Sequence, residues 1–254
     1  MNDPFAASID PAEIERFERL AGSKTSGAEA WWNPEGPFWP LHRLNALRLD
    51  FIRGRLLEQF GRSPAAPRPL AGLDILDIGC GGGLLSEALA ALGARVHGVD
   101  AAERNIEIAR RHAAGRALDI QYQTGTAESL AAHGRDYDAV MNLEVVEHVA
   151  DLPAFMQACC RLVRPGGCMV VSTINRTWVS YVAAIVGAEY LLRWLPRGTH
   201  QWRKFRTPAE LHDLLECGGL EIRETTGVGM LPIARRPFLT PFRGVNYMLL
   251  AARP

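Results

Sequence analysis

The stretch Leu73-Asp74-Ile75-Leu76-Asp77-Ile78-Gly79-Cys80-Gly81-Gly82-Gly83 restricts the fold of this chain more than any other. Leu73, Ile75, Leu76 and Ile78 form the near-continuous apolar run of a parallel strand covered on both faces. The glycines that follow permit positive φ and let the backbone come within contact distance of a ligand. Leu84 to Ala90 has helical character, so the first unpaired N–H groups of a helix face that turn. Strand, glycine turn and helix in this order make a cradle for an adenosine-containing cofactor.

The same alternation continues downstream. Strands are expected at 95–100, 120–124, 137–142 and 168–173, with helices at 84–92, 102–114 and 151–163 and with Pro165-Gly166-Gly167 as a tight turn into the last strand. This order specifies right-handed βαβ units and a parallel sheet. A helix at 207–217, a strand at 220–224, a Gly/Pro-rich loop and a strand at 245–250 close the chain, so an antiparallel hairpin is expected at the sheet edge. Upstream, Pro11 to Leu20 reads as a short helix with Ile14, Phe17 and Leu20 on one face. Trp31 to Arg43 reads as an aromatic, proline-punctuated loop whose tryptophans must lie against something. Asn45 to Phe60 is an amphipathic helix carrying Arg48, and residues 63–69 are a connecting loop. The expected organisation is an N-terminal region of helices and aromatic lid (1–70) and a main domain (71–254, with an insert at about 176–206), acting as one unit.

Formal net charge is zero, with 28 basic against 28 acidic residues, which argues against a nucleic-acid binder driven by bulk charge. Cys80, Cys159, Cys160, Cys168 and Cys217 are odd in number and contain no C-x-x-C pair, so they read as reduced thiols and not as a disulfide framework or zinc site. Met1 to Glu18 carries acids and no apolar h-region, and no stretch reaches an uninterrupted membrane-spanning length. A cytoplasmic compartment is expected.

The identity of the cofactor turns on two residues. A dinucleotide fingerprint needs G-x-G-x-x-G, and its third glycine position is Leu84. Asp100 ends the next strand, where a carboxylate takes a ribose hydroxyl pair in any adenosine ligand. Asp77, two residues before the first glycine, would repel a pyrophosphate but suits a cationic sulfonium.

Leu76 to Gly83, Asp100 and Pro165-Gly166-Gly167 together resemble the class I S-adenosylmethionine-dependent methyltransferases, over about residues 70–250. The resemblance implies an α/β fold, a doubly wound, mostly parallel seven-stranded Rossmann-like sheet with an antiparallel edge hairpin, here carrying an inserted helical segment. Outer motifs are more selective. Trp31-Trp32, Pro40 to Asn45, Val186 to Tyr190, Pro196 to His200 and Val245 to Leu249 are similar to the O-methyltransferases of ubiquinone biosynthesis, bacterial and mitochondrial. That resemblance runs from about Ile14 onward. It implies methylation of a catechol hydroxyl on polyprenylated benzenoids at two steps of that pathway, on a 2-polyprenyl-6-hydroxyphenol and on 3-demethylubiquinol. Another small-molecule methyltransferase is the alternative, made weaker by the outer motifs. Carried over by motif, Arg48, Gly79, Asp100 and Leu143 contact S-adenosylmethionine; Asp77, Gly81 and Glu128 complete the expected set. Arg48 is suited to pair with the methionyl carboxylate, which Lys could meet only as a point charge.

A catechol hydroxyl must lose its proton as the methyl moves. Glu144-Val145-Val146-Glu147-His148 follows the fourth strand, at the sheet edge where ligands bind. If helical, Glu144, Glu147 and His148 share a face at i, i+3 and i+4 and could hold a divalent ion that binds both catechol oxygens. The resemblance supports Mg²⁺ at these three positions, since the mitochondrial members use it there. The alternative is His148 as a metal-free general base, because imidazole titrates near neutral pH.

Trp178 to Leu195 is apolar nearly all round, with Glu189 and Arg193 as one narrow polar stripe, and is too polar to span a bilayer. Arg193, Arg197, Arg203, Lys204 and Arg206 then alternate with Trp194, Trp202 and Phe205, the mixture recruited by an anionic membrane interface. The expected partners are a lipid-soluble polyprenyl phenol, an anionic membrane surface met through 178–206 on the inner face of the cytoplasmic membrane, and other proteins of the same pathway; no nucleic acid is expected.

Overall fold

The computed structural model describes Glu13 and residues 31–36, 38–192, 194, 198 and 201–254. The expected helix at 11–20 lies outside the described residues except for Glu13, which is helical. Eight strands form one sheet: β1 (Asp74–Ile78), β2 (Arg95–Asp100), β3 (Ile120–Thr124), β4 (Tyr137–Leu143), β5 (Val163–Ile174), β6 (Glu221–Leu231), β7 (Arg236–Thr240) and β8 (Asn246–Ala252). Their spatial order is β3-β2-β1-β4-β5-β8-β6-β7.

β1 is central, pairing in parallel with β2 on one side and β4 on the other, and Ile75 lies opposite Val96 and Ala139. Its alternation divides the core as a period of two requires. Leu76 and Ile78 join one apolar cluster with Val140, Val171 and Phe155, while Leu73 and Ile75 join another with Met141, Ile52 and Leu89. The helices α1 (Trp39–Gln59) and α2 (Leu84–Ala91) cover the second face. On the first lie α4 (Ala127–Ala132), α5 (Leu152–Arg161) and α7 (Pro208–Cys217). α3 (Glu103–Ala113) packs Ile106 and Ala109 against Cys80 and Tyr122 under the glycine turn. The sheet is thus doubly wound. All five cysteines are free thiols, four of them buried.

Three local readings are corrected. α1 begins at Trp39, well before the expected Asn45, because Pro40 sits in its first turn, where a missing N–H costs nothing. Pro165-Gly166-Gly167 is not a turn before β5 but a bulge within it. Tyr137 pairs with Val163 and Ala139 with Cys168, so four residues oppose Asp138, and a Cβ on Gly167 would meet the Asp138 carbonyl at 2.7 Å. The strands expected at 220–224 and 245–250 do pair antiparallel, as β6 and β8, with β8 also antiparallel to β5 on its other side. The stretch read as a Gly/Pro-rich loop between them contributes β7, which pairs with β6 as a hairpin at the sheet edge and adds an eighth strand to the seven expected.

The insert departs furthest from expectation. α6 (Trp178–Ser180) is capped by Thr177, whose hydroxyl accepts from Ser180 N. The chain then winds as a π-helix over Tyr181–Leu191, and Leu192 N donates to Gly187 O five residues back. Glu189 is not part of an exposed polar stripe. It is 1% exposed, and its carboxylate accepts from Gly198 N at 2.6 Å; Arg193 and Arg197 lie outside the described residues. No described helix is long and apolar enough to cross a membrane.

Candidate active site

The carboxyl ends of β1, β2 and β4 open on a cavity of about 490 Å³, within the range that holds a cofactor and a small substrate. The glycine turn forms its floor. Gly79, Gly81 and Gly83 take φ of 68°, 54° and 89°, which other residues adopt only with strain. Gly83 caps α2, and Gly79 N donates to Val99 O at 2.7 Å, tying the turn to β2. Over the turn lies the aromatic segment. Trp31 stacks on Phe38 with ring centroids 4.0 Å apart, and a Cβ on Gly81 would come within 2.5 Å of the Trp31 ring. Trp32 stacks on His112 and donates Nε1–H to Gly82 O at 3.0 Å. Trp31 and Phe38 line the cavity, so one lid covers the core and walls the ligand space.

Two buried carboxylates stand beside this turn. Asp100 accepts from Gly81 N and Ala102 N, both at 2.9 Å, and from Asn105 Nδ2 at 3.2 Å; burial nevertheless raises its pKa. Asp77 accepts from Ser86 Oγ at 2.6 Å, and burial pushes it up to about 7. Burial makes ionisation of both carboxylates costly, and a cation in the cavity would offset that cost. Arg48, 4% exposed, reaches the same space from α1 and donates Nη2–H to Glu144 Oε1 at 2.5 Å. Arg48 Nε, Asn105 Oδ1 and Asn246 Oδ1 are buried on cavity-lining residues without a hydrogen-bond partner, as expected where a polar ligand supplies the missing groups.

The acceptor side begins where β4 ends. Glu144 has φ of 57°, a left-handed conformation costing a non-glycine residue about 1–2 kcal/mol. Glu144 N donates to Ser172 O, and its carboxylate gathers Arg48, Ser172 Oγ at 2.7 Å and Asn246 Nδ2 at 3.4 Å. Glu147 is 5% exposed and accepts from Thr173 Oγ1 at 2.7 Å; burial first, then the Glu144 charge, raise its pKa. His148 Nδ1 lies 2.9 Å from Glu13 Oε2, and Lys204 Nζ lies 3.1 Å from Glu13 Oε1. The hydrogen bond from His148, helped by Lys204, outweighs burial and holds Glu13 down to about 2. An ionised carboxylate only accepts, so Nδ1 carries the proton in the hydrogen bond between His148 and Glu13. Glu13, Glu144, Glu147 and His148 all line the cavity.

A family model described as a methyltransferase domain matches residues 44–225. The chain is 50% identical, over all of both sequences, to the ubiquinone biosynthesis O-methyltransferase of Sinorhizobium fredii (strain NGR234), and 51% identical over the full length of the Brucella anthropi protein of that name. The chain belongs to the ubiquinone biosynthesis O-methyltransferases. Among solved structures, magnesium protoporphyrin IX methyltransferase from Synechocystis PCC 6803 with bound S-adenosylmethionine superposes with a TM-score of 0.62. That match covers 98% of this chain and 99% of the other at 20% identity, and at that distance it establishes the fold alone.

S-adenosylmethionine is the cofactor of this family, and the residues present fit it. Arg48, Asp77, Gly79, Gly81, Asp100 and Leu143, the residues expected to bind it, all line the cavity. Glu128 does not: its carboxylate oxygens are buried without a partner in the first turn of α4, while Thr126 and Ala127 just before it line the cavity. Glu144, Glu147 and His148, the residues expected to hold Mg²⁺, all line the cavity, but not in the expected conformation. Residues 144–149 form a bend and turn, not a helix, so Glu144, Glu147 and His148 share no helical face and instead engage Arg48, Thr173 and Glu13. Among the described residues, no group of three His, Cys, Asp or Glu side chains could hold a metal ion. Sequence reasoning did not single out Glu13, since His148 and Lys204 lie 135 and 191 residues away.

Proposed function

We propose that this chain transfers the methyl group of S-adenosylmethionine to a catechol hydroxyl of polyprenylated benzenoid intermediates, acting at both O-methylation steps of ubiquinone biosynthesis. The observation that carries this reading is the Glu13–His148 pair, which shares one cavity with the glycine turn and Asp100. S-adenosylmethionine supplies the electrophilic methyl. Asp100 accepts from the ribose hydroxyls, and Arg48, through its unpartnered Nε–H, takes the methionyl carboxylate while Glu144 balances its charge. Asp77 faces the cationic end of the ligand. Trp31 and Phe38 exclude water from the reacting atoms.

His148 Nε2 takes the proton from the attacking catechol oxygen, and Glu13 holds the ring in the required tautomer and stabilises the imidazolium that results. This proton transfer uses His148 and Glu13 alone; Glu144 and Glu147 hydrogen-bond to Arg48, Ser172 and Thr173. The two domains of the sequence reading act as one unit: Ile52 and Leu56 of α1 pack in the same apolar cluster as Ile75 of β1. The segment 178–206 rests on the anionic inner face of the cytoplasmic membrane and receives the head group of a substrate whose tail stays in lipid. Trp178, Val182 and Leu191 are 74%, 58% and 75% exposed there, which supports a lipid-facing role. Purified protein given S-adenosylmethionine and a short-prenyl catechol is expected to form the methyl ether, detected by mass spectrometry. No turnover with or without Mg²⁺ would overturn the assignment.

A further inference from the structure

Every large apolar side chain left exposed among the described residues falls in one of two segments. The first is the insert, from Trp178 to Leu192. The second is the β6–β7 hairpin and the loop after it, where Leu231 is 48%, Ile233 102% and Phe242 58% exposed, with Phe238 and Leu239 also open to solvent. Both flank the same cavity: Ala183, Ala184 and Ala188 line it from the insert, and Val228, Gly229 and Met230 from β6.

The charge on the outer part of the hairpin and the loop after it has one sign. From Val228 to Gly244 the chain contains Arg235, Arg236 and Arg243 and no acidic residue. Arg235 is also exposed but lies along α1, its guanidinium 4.6 Å from the Trp39 ring and 3.8 Å from Glu35. Arg236 and Arg243 are exposed, without an ion-pair partner among the described residues. β7 is an edge strand, yet Pro237 in its second position lacks the N–H that strand addition by another protein would use. Apolar tips between outward arginines suit an anionic lipid interface better than a protein edge.

We propose that the β6–β7 hairpin is a second lipid-contacting element, which dips Ile233 and Phe242 into an anionic bilayer while Arg236 and Arg243 meet its headgroups. This rests on the membrane reading above and extends it. The insert and the hairpin form opposite banks of one opening, and a polyprenyl tail leaves the cavity between them into lipid.

The test uses the full chain with phosphatidylglycerol-containing and pure phosphatidylcholine vesicles. Ile233→Glu with Phe242→Glu, and separately Arg236→Glu with Arg243→Glu, are expected to weaken sedimentation with anionic vesicles on the order of tenfold. Turnover of a water-soluble short-prenyl catechol should be unchanged. As a second readout, a fluorophore on Ile233→Cys in a Cys217→Ser background should shift to the blue on anionic vesicles and be quenched by brominated lipid. If wild type binds these vesicles and both hairpin variants bind equally well, or the fluorophore stays in water, the proposal fails while the membrane reading of 178–206 stands. A wild type that binds no vesicles overturns both. Hairpin variants that change oligomeric state while binding vesicles normally also overturn the proposal, since the surface would then hold a second copy.

Discussion

The donor and acceptor halves of the cavity are built from different kinds of contact. On the donor side, Asp100 reaches Gly81 across 19 residues and Ser86 reaches Asp77 across 9, within a single β1–α2–β2 unit. Arg48, which reaches Glu144 across 96 residues, is the one long-range member of that side; on the acceptor side, Asn246 meets Glu144 across 102 residues, and Glu13 meets His148 and Lys204 across 135 and 191. One half is a local motif that holds its shape when the supersecondary unit folds. The other exists only when the N-terminal region, the end of β4 and the insert have all docked. Substitutions should therefore separate binding from turnover.

His148→Ala is the strongest test of that separation. It is expected to lower kcat on the order of 10²–10⁴-fold, the range for loss of a general base, while calorimetric affinity for S-adenosylmethionine stays unchanged. Equal losses in both would mean that the two halves are one site. Asp100→Ala should do the reverse, weakening cofactor binding about 10–100-fold through the loss of charge-assisted hydrogen bonds, with kcat at saturating cofactor largely kept. Glu13→Gln keeps the size of the side chain but lets the other imidazole tautomer form. A fall in kcat on the order of tenfold, with cofactor affinity intact, is expected; an unaltered kcat would reduce Glu13 to a packing residue.

Asp77→Asn gives the smallest effect and the most specific one. Burial holds Asp77 at about 7 in the fold, above its ordinary 3.8, so ionisation favours the unfolded chain. The stabilising contribution of the protonated group is complete below about pH 4 and is lost as pH rises through 7. The melting temperature of the cofactor-free Asn variant should therefore gain on wild type by an amount that grows from pH 4 to pH 7 and then levels off. A constant difference would mean that Asp77 is already ionised at low pH. The same variant should bind S-adenosylmethionine more weakly at pH 8, where wild type carries the charge.

The contrast between the halves also explains what the sequence could reveal. Asp77, Gly79, Gly81 and Asp100 were legible because a strand, a turn and a strand end fix them relative to one another at short range. His148 and Arg48 were legible as residues, but the geometry of Glu144 to Glu147 was not. Whether that stretch becomes a helix depends on Ser172, Thr173 and Asn246, which arrive from β5 and β8 and hold Glu144 in a left-handed conformation. For the same reason, Pro165-Gly166-Gly167 read as a turn: only the neighbouring Asp138, whose carboxylate accepts from Arg164 Nε at 2.7 Å, makes it a bulge. β7 was hidden because a five-residue edge strand containing proline has almost no periodicity of its own.

The most direct test of the central claim is a single turnover. Wild-type protein is loaded with one equivalent of methyl-labelled S-adenosylmethionine, freed of excess, and mixed with a short-prenyl catechol. The account predicts that the label passes to one phenolic oxygen as a methyl ether. Label that stays on the bound cofactor while the catechol occupies the cavity would contradict it.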